Sequence, residues 1–351
     1  MQPRSILFCL FFVFCAQAKE VLHTLYGDFT ITEPVLEALL HNSFVERLKS
    51  IHQYGVNSYS INKPEFNRYI HSVGVMVLLR KYEASVCEQI AGLLHDVSHT
   101  VFSHVGDRVF DCHAQKSSYQ DNIHKHFLSQ TTIPLLLKKQ RFELDAILHK
   151  NEEFKCLEQN LPDICADRLE YNLRGGLVAG IITQQDIHSI LDALHFKDDV
   201  WYFTDIKQAA LLGHVSCYLP ENIWFSPENQ FVDHYAAQAL KRAAQLSIIT
   251  YNDIHFSIDD IVWHKLRSCS DEIVKDCLYK IDHWDTAFFV SGAHDYDFWC
   301  STKSHAIDPW VKTETGLQRL TAVDAEYAAE FDRAKKILSS GTYFKLVHAS
   351  I

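Results

Sequence analysis

A segment with helical periodicity ends in adjacent histidine and aspartate residues, and this doublet limits how the chain can fold. Residues 86–94 place apolar side chains on one side of a helix, and His95 and Asp96 follow directly. His71 and Asp167 lie in two other segments with helical character. Nitrogen and oxygen ligands from separate helices suit a borderline or hard divalent cation, so we expect these helices to pack antiparallel around one point. Such a cation lowers the pKa of bound water enough for attack on phosphorus.

Four stretches around these candidate ligands carry a family pattern. They are residues 44–55 (FVERLKSIHQYG), 67–75 (NRYIHSVGV), 95–104 (HDVSHTVFSH) and 163–171 (DICADRLEY). Together they resemble the HD-domain phosphohydrolase superfamily, and the first and last resemble the branch that includes deoxynucleoside triphosphate triphosphohydrolases. The resemblance extends from about residue 26 to about residue 174. It implies a helical HD bundle with one metal centre.

The resemblance implies that His71, His95, Asp96 and Asp167 bind one divalent ion. Iron, manganese, nickel, cobalt, zinc and magnesium are all compatible with two histidines and two carboxylates. This ligand set leaves coordination positions for water and substrate, as a hydrolytic metal requires. A second doublet at residues 294–295 has neither a preceding amphipathic helix nor an upstream Arg-x-x-His motif, and we therefore predict a loop there.

Four further polar residues are candidates for catalysis. In the resembled branch, histidines that match His99 and His104 lie over the phosphates, and Asp107 would orient His104 as a proton donor. A hydrogen-bonded structural role is the alternative for both histidines. Arg68 is three residues before His71 and shares its helical face. Its guanidinium would contact a phosphate or, alternatively, pair with a carboxylate.

Two residues are candidates for substrate binding. His124 lies where the branch often has a His-Glu pair, and Tyr171, four residues after Asp167, would contact a sugar or a base edge. Core packing is the alternative for Tyr171. The branch usually has an acid where this chain has Gly175, and a basic cluster where residues 213–220 contain no Arg or Lys. Both departures make a triphosphate a less favoured substrate relative to a monophosphate, cyclic phosphate or pyrophosphate.

The amino-terminal residues predict export. Arg4 precedes an apolar run over residues 6–14, and Ala16 and Ala18 form a small-x-small cleavage site, so we expect a signal peptide over residues 1–18. A membrane anchor is the alternative, but the run is too short to span a bilayer and no second span of ~20 apolar residues follows. The destination would be the periplasm or the medium. Of ten cysteines, eight would remain, as buried free thiols or in one or two bridges.

Composition favours a mostly α fold. The chain is 47% hydrophobic with only 12 Gly and 8 Pro. Its charge of −11 disfavours a nucleic-acid polymer as partner. We expect an HD domain over residues 19–200 and a helical C-terminal extension over residues 201–351, packed on the catalytic core. The extension would include a small β ribbon in which residues 200–203 pair with residues 247–250 or 287–290.

We predict helices from periodicity and capping signals, with Thr32 as the first cap and Ser85 or Glu83 near the start of the helix that precedes the doublet. The predicted helices cover residues 34–40, 71–79, 86–94, 132–137, 187–194, 232–246, 257–267 and 270–279.

The resulting hypothesis is an exported, metal-dependent HD phosphohydrolase that hydrolyses a small phosphate ester, with a nucleotide as the favoured substrate. The alternative is an HD-fold binding or effector protein that retains the metal without turnover. Non-hydrolytic HD chemistry such as oxygenation ranks last, because it usually asks for more metal ligands than the sequence offers. The resemblance also implies a homo-oligomer, although no heptad or apolar patch in the sequence establishes one.

Overall fold

The computed structural model describes residues 20–61, 64–111, 118–148 and 153–347, so the expected signal peptide lies outside the described residues. The helices are α1 (Pro34–Leu40), α2 (Ser43–Glu46), α3 (Asn57–Ser60), α4 (Arg68–Lys81), α5 (Val86–Leu94), α6 (Val105–Val109), α7 (Tyr119–Ser129), α8 (Ile133–Lys139), α9 (Leu144–Ile147), α10 (Ala166–Val178), α11 (Gln184–Ala193), α12 (Ile206–Leu219), α13 (Pro227–Gln245), α14 (Tyr251–Phe256), α15 (Asp259–Arg267), α16 (Glu272–Asp282), α17 (Trp284–Ala287), α18 (Leu320–Val323) and α19 (Ala325–Ser340). A 3₁₀ helix (Arg47–Ser50) and a π-helical turn (Pro220–Trp224) accompany them. The expected mostly α class is confirmed.

The strands form three small sheets. They are β1 (Glu20–Thr24), β2 (Gly27–Ile31), β3 (Leu194–Lys197), β4 (Val200–Phe203), β5 (Phe288–Val290), β6 (Phe298–Cys300), β7 (Trp310–Thr313), β8 (Gly316–Arg319) and β9 (Thr342–Leu346). Strands β1 and β2 form a hairpin, and the other two sheets have the orders β3-β4-β7-β8 and β5-β9-β6. Strand β4 runs antiparallel to β3 and parallel to β7.

The predicted strand at residues 200–203 is present, but both partners suggested for it were wrong. Residues 247–250 instead follow the end of α13, where Ser247 has a φ of 57° and the amides of Ile248 and Ile249 donate to the carbonyl of Ala243. Residues 288–290 form β5, which pairs with β9. These two amides donate to the end of the helix and are therefore not available to pair with a neighbouring strand.

Capping explains where the two helices that carry the first ligands begin. The Asn67 side chain accepts from the Ile70 amide ahead of α4, and the Ser85 hydroxyl accepts from the Glu88 amide ahead of α5. Of the two residues suggested for α5, Ser85 is thus the cap. The prediction that Thr32 caps α1 was wrong, because Glu33 is the residue directly before this helix and its side chain makes no capping hydrogen bond. The predicted helix over residues 257–267 is α15, which begins at Asp259 rather than at residue 257.

The core that supports the site is formed by α4, α5 and α10. Helix α4 packs on both others, and apolar side chains such as Leu78, Leu93 and Leu169 are buried between them. Gly74 allows α10 to come close, because a Cβ atom there would lie 2.2 Å from Glu170 Oε1. The close approach brings the amino-terminal turn of α10, with Asp167, next to His71.

Residues beyond 200 contact this core at several points. The Val101 amide donates to the Ile254 carbonyl (2.9 Å), and the Asp308 amide donates to the Pro162 carbonyl (2.9 Å). Helix α12 packs on α10. The boundary between residues 200 and 201 stays a prediction, and β4 crosses it.

Two further sequence predictions concern membranes and thiols. Within the described ranges, none of the helices has the length and apolar character needed to cross a bilayer. The cysteines in those ranges are free thiols, and all but Cys87 are buried. Cys112 lies outside the described residues.

Candidate metal centre

Three of the four candidate ligands converge on one point. His71 lies on α4, His95 directly follows α5, and Asp167 lies in the first turn of α10. The Nε2 atoms of the two histidines are 3.2 Å apart, and Asp167 Oδ1 is 3.0 Å from His71 Nε2 and 3.3 Å from His95 Nε2. Both histidines are buried, whereas the Asp167 side chain is 25% exposed. The cluster is therefore reached from the Asp167 side.

Hydrogen bonds to the far side of each imidazole orient the two histidines as ligands. His71 Nδ1 lies 2.6 Å from Glu170 Oε2, and His95 Nδ1 lies 2.6 Å from the Gly92 carbonyl oxygen. Both acceptors place a proton on Nδ1, so the Nε2 atoms, which face each other and Asp167, are the ring atoms that can bind a metal. Two converging lone pairs and a carboxylate fit a divalent cation with nitrogen and oxygen ligands.

Glu170 is the residue in this site that the sequence analysis missed. It is fully buried, and its second oxygen accepts from Tyr26 (3.0 Å) and from Arg174 Nε (2.5 Å). Burial raises the pKa of Glu170, but Arg174 and His71 outweigh it and lower the pKa. An acid three residues after Asp167 and four before Arg174 was the available signal, because both spacings share a helical face.

The carboxylates around His71 favour positive charge at the cluster. Burial lowers the pKa of His71, but Glu170, Asp167 and Asp96 together raise it to about 10. Burial raises the pKa of Asp167, and the two histidines lower it far below its usual value. Because a metal needs the lone pair of His71, binding an ion displaces a proton from this cluster.

Asp96 lies beside these three residues, with its carboxylate already paired. Its Oδ2 accepts from Arg68 Nη1 (2.6 Å) and lies 3.7 Å from His71 Nε2; its Oδ1 lies 3.4 Å from His95 Nε2 and 3.2 Å from His99 Nε2. Burial raises the pKa of Asp96, but Arg68, His95 and His99 hold it well below its usual value. Metal ligation by Asp96 stays a prediction.

Arg68 makes the carboxylate pair that the sequence had offered as its alternative role. Besides Asp96, it contacts the Ser103 hydroxyl through Nε (2.9 Å). It is 3% exposed, and its Nη2 atom has no hydrogen-bond partner among the described residues. A buried guanidinium nitrogen without a partner remains available to an oxygen of a bound phosphate.

The two histidines that follow the doublet differ in their surroundings. His99 is buried, and burial together with Arg68 lowers its pKa to about 3, so it is neutral near pH 7. The His104 side chain is 59% exposed, with its ring 5.0 Å from that of His99. Its Nδ1 lies 3.1 Å from Asp107 Oδ2, the orientation expected from the sequence. Burial raises the pKa of Asp107, and His104 together with the Tyr119 amide lowers it to about 2. Their catalytic roles stay predictions.

The loop that carries these histidines is held in an unusual backbone conformation. Phe102 and Ser103 have φ values of 57° and 53°, in the left-handed region that residues other than glycine rarely adopt. The Phe102 amide donates to buried Asp259 (2.7 Å), and Arg47 Nη2 donates to the His99 carbonyl (2.7 Å). These contacts from outside the loop offset the backbone strain.

The two predicted substrate-binding residues occupy different places. His124 is buried on α7, where its Nδ1 is 2.7 Å from the Ser98 hydroxyl. The Ser98 hydroxyl donates to Gln120 Oε1, and the Gln120 side-chain amide donates to the His95 carbonyl, so this network supports the doublet from behind. Tyr171 is partly exposed, and its ring centroid lies 6.4 Å from that of His71. Substrate contact by either residue stays a prediction.

The structure also bears on two sequence positions outside the cluster. Gly175 faces Leu219 and the Tyr54 hydroxyl, so packing fills the position where the resembled branch has an acid. His294 and Asp295 are exposed in the turn between β5 and β6, which confirms the predicted loop.

Comparison with known proteins identifies the family. The HD domain family matches residues 68–171. The uncharacterized protein YdhJ of Bacillus subtilis is 33% identical over 337 residues, which cover 93% of this chain and 99% of YdhJ. The metal-dependent phosphohydrolase cns2 of Cordyceps militaris is 35% identical over 218 residues, 60% of this chain and 61% of cns2. The chain contains an HD domain and belongs to the same family as YdhJ.

Solved structures with the same fold cover nearly the whole chain. A phosphohydrolase from Bacteroides thetaiotaomicron superposes with a TM-score of 0.68 at 16% identity, covering 94% of this chain and 100% of that one. A hypothetical protein from Aquifex aeolicus has the same TM-score at 14% identity, with 91% and 99% coverage. At these identities the likeness shows the fold, which includes the residues beyond the HD match. The branch of triphosphohydrolases is not singled out by these comparisons.

Proposed function

We propose that this protein is a metal-dependent hydrolase of small phosphate esters, with nucleotides as the favoured substrates. The observation that carries the proposal is the convergence of two pre-oriented histidine nitrogens and Asp167, beside Arg68 Nη2, which has no hydrogen-bond partner in the described part of the chain. The name of the relative cns2, a metal-dependent phosphohydrolase, supports the reaction class. A divalent ion held by His71, His95 and Asp167, with Asp96 as fourth ligand, would supply Lewis acidity and activate water.

The protein groups around the cluster have distinct roles in this reaction. Arg68 Nη2 would donate to a phosphate oxygen and offset charge that develops in the transition state. His104 would donate a proton to the oxygen of the leaving group while Asp107 holds its Nδ1–H. Because the His104 ring is largely exposed, solvent can return the proton after each turnover. Neutral His99 would hold Asp96 in place.

The substrate is small in this proposal, and its phosphate class is open. The net charge of −11 disfavours a polyanionic polymer. Gly175 and the absence of Arg and Lys from residues 213–220 remove two features used by the resembled branch for a nucleoside triphosphate. Monophosphates, cyclic phosphates and pyrophosphates are therefore candidates of equal standing.

The deciding experiment is metal-supplemented hydrolysis by the purified protein across nucleoside mono-, di-, tri- and cyclic phosphates and generic phosphate esters. Asp96→Ala should abolish turnover, whereas Asp295→Ala, in the second doublet, should leave it intact. Tripolyphosphate as product would restore the triphosphohydrolase assignment, and inorganic phosphate from a monophosphate would define a phosphatase. Absence of metal-dependent turnover on every compound would reject the proposal.

A binding or effector protein that keeps the metal is the second candidate. The observation that favours it is the changed pocket at Gly175, where Leu219 and Tyr54 pack against the helix. This candidate predicts a bound metal without phosphate release. Metal content alone does not separate the two, so the turnover panel decides between them.

Export and self-association belong to the same proposal. Cleavage after Ala18 in a secreting host would give a mature protein whose amino-terminal residue is Lys19, which sequencing of the secreted chain would detect. Retention of residues 1–18 on the mature protein would reject the cleaved signal peptide. Light scattering of the purified protein would give its oligomeric state, and a monomer would reject the homo-oligomer.

A further inference from the structure

Four aromatic side chains meet next to the metal centre on its accessible side. Tyr171, Trp224, Phe225 and His305 form this group, which we call the aromatic corner. The rings of Tyr171, Trp224 and His305 stand nearly perpendicular to one another, with interplanar angles of 81–87°. His305 also stacks on Phe225 at 26° and 5.8 Å. All four side chains are partly exposed, in contrast to the buried core beside them.

The segments that present the corner are held in place by buried polar groups. Trp224 and Phe225 lie at the end of the π-helical turn, a rare conformation that is frequent at functional sites. Buried Asn229 and Gln230 donate to the carbonyls of Ile223 and Phe225, respectively. These two buried amide side chains thus hold the segment that carries Trp224 and Phe225.

The segment that carries His305 is anchored immediately after it. The Ile307 amide donates to the Ser216 hydroxyl (3.1 Å), and the Asp308 amide donates to the Pro162 carbonyl (2.9 Å). His305 is therefore fixed between α12 and the segment that leads into α10. A residue from the C-terminal extension thereby lies against Tyr171, whose ring is 6.4 Å from that of the ligand His71.

The charges around the corner select against a cationic ligand. Burial lowers the pKa of His305 to about 3, and Arg168, His104 and Lys303 lower it in the same direction, whereas Asp167 opposes them. The imidazole is therefore neutral near pH 7. Cations that lower the pKa of an imidazole also repel an ammonium group, so a neutral planar ring suits these aromatic faces better.

We propose that the aromatic corner binds the heterocyclic base of a nucleotide whose phosphate lies at the metal centre. This inference rests on the proposed function and adds residues that the HD match does not include. In a nucleotide, the sugar separates base and phosphate, and Tyr171 lies between the metal ligands and the other three rings. Stacking on aromatic faces tolerates different bases, whereas a base-free sugar phosphate gains nothing from it.

The experiment compares the four common nucleoside 5′-monophosphates with ribose 5-phosphate on the full-length, metal-loaded protein. The wild-type protein should prefer a nucleotide in kcat/KM, and His305→Ala and Trp224→Leu should lower that preference about tenfold, the size expected for one stacked base. His305→Phe keeps a planar ring and should retain the preference. Trp299→Leu replaces an exposed tryptophan on β6 and should leave kcat/KM unchanged for both nucleotides and ribose 5-phosphate.

Each outcome separates this inference from the proposed function. Equal kcat/KM for nucleotides and ribose 5-phosphate, or a preference that persists in His305→Ala and Trp224→Leu, would overturn the base site while hydrolysis stands. If none of the compounds is hydrolysed, the proposed function fails, and calorimetry then compares the binding of AMP and ribose 5-phosphate. Tighter binding of AMP that His305→Ala removes would support the corner as a base site; equal binding would overturn it. Circular dichroism and thermal melting identify any variant that misfolds. If His305→Ala and Trp224→Leu misfold, the test becomes the nucleotide preference of His305→Phe relative to that of the wild type, measured on GMP and UMP: a retained preference supports the base site.

Discussion

The chain contains two His-Asp doublets, and they lie in very different surroundings. His95 and Asp96 are 6% and 3% exposed and follow a capped amphipathic helix. His294 and Asp295 are exposed in a turn between two short strands. Asp96 is paired with buried Arg68, whereas Asp295, 76% exposed, pairs with Lys345 on the surface.

The comparison teaches that the site depends on what fixes the side chains. At the first doublet, a backbone carbonyl selects the His95 tautomer, and α4 and α10 bring two more candidate ligands within 3.3 Å. At the second doublet, His294 has neither such a hydrogen bond nor such neighbours within the described part of the chain. Ligand preorganisation, rather than ligand identity, distinguishes the two.

The largest expected difference is between the matched variants His95→Ala and His294→Ala. His95→Ala removes one nitrogen of the cluster, so bound metal should fall below one equivalent and phosphate release should drop by roughly 10³-fold or more. His294→Ala should match the wild type in both. Elemental analysis and a phosphate-release assay measure these quantities. Equal metal content in the two variants would place the ion elsewhere.

The next expected effect concerns the support of the loop after the first doublet. Asp259 is fully buried, and burial raises its pKa from 3.8 to about 7 although the His52 and Phe102 amides donate to it. A carboxyl group with a raised pKa stabilises the fold fully below pH ~4, and this contribution is lost as pH rises toward 7. The shift corresponds to about 4 kcal/mol as an upper limit.

Asp259→Asn tests this assignment because an amide stays neutral at every pH. The free energy of unfolding of the wild type should fall relative to that of the variant between pH 4 and pH 7, by up to about 4 kcal/mol. Denaturant unfolding across this pH range measures the difference. Parallel pH profiles for the two proteins would show that Asp259 does not titrate in this window.

A smaller effect is expected at Glu170, which orients His71. Glu170→Gln should weaken metal affinity by roughly 10- to 100-fold, the usual cost of losing a carboxylate behind a ligating histidine. Glu88→Gln is the matched control, since Glu88 is also buried but accepts from the Leu157 amide. Competition with a chelator measures both affinities. If the two variants bind metal equally well, Glu170 is only a packing residue.

The smallest effect is expected at the second doublet. Asp295→Ala removes an exposed ion pair with Lys345, and the free energy of unfolding should change by less than about 0.5 kcal/mol. Chemical denaturation at low and high salt measures it. A larger loss, or one that persists at 1 M salt, would mean that this turn has a structural role comparable to that of the first doublet.

The sequence predicted the elements whose signals are local. Helices α4, α5 and α10 have apolar periodicity, and Ser85 is a recognisable cap ahead of α5, so the placement of His71, His95 and Asp167 followed from their positions on those helices. The pairing of β4 with β7 was beyond such reasoning, because it joins segments about a hundred residues apart and depends on tertiary packing.

Within the site, contacts between distant segments were likewise hidden. The left-handed conformation of Phe102 depends on Asp259, and the environment of Tyr171 depends on Trp224 and His305. A one-dimensional pattern gives the residue types but not these partners. Glu170 was the exception, since its spacing from Asp167 and Arg174 was visible in the sequence.

Arg47 has a consequence for how the molecule can be divided. Its guanidinium donates to the carbonyls of His99, His255 and Ser257, and thus ties the ligand loop to the residues around α14. A fragment that ends near residue 174 would leave this buried cation without two of its acceptors. We therefore expect the excised HD segment to fail as an autonomous folding unit, and the amides of the ligand loop and of α14 to exchange with solvent in a single cooperative opening.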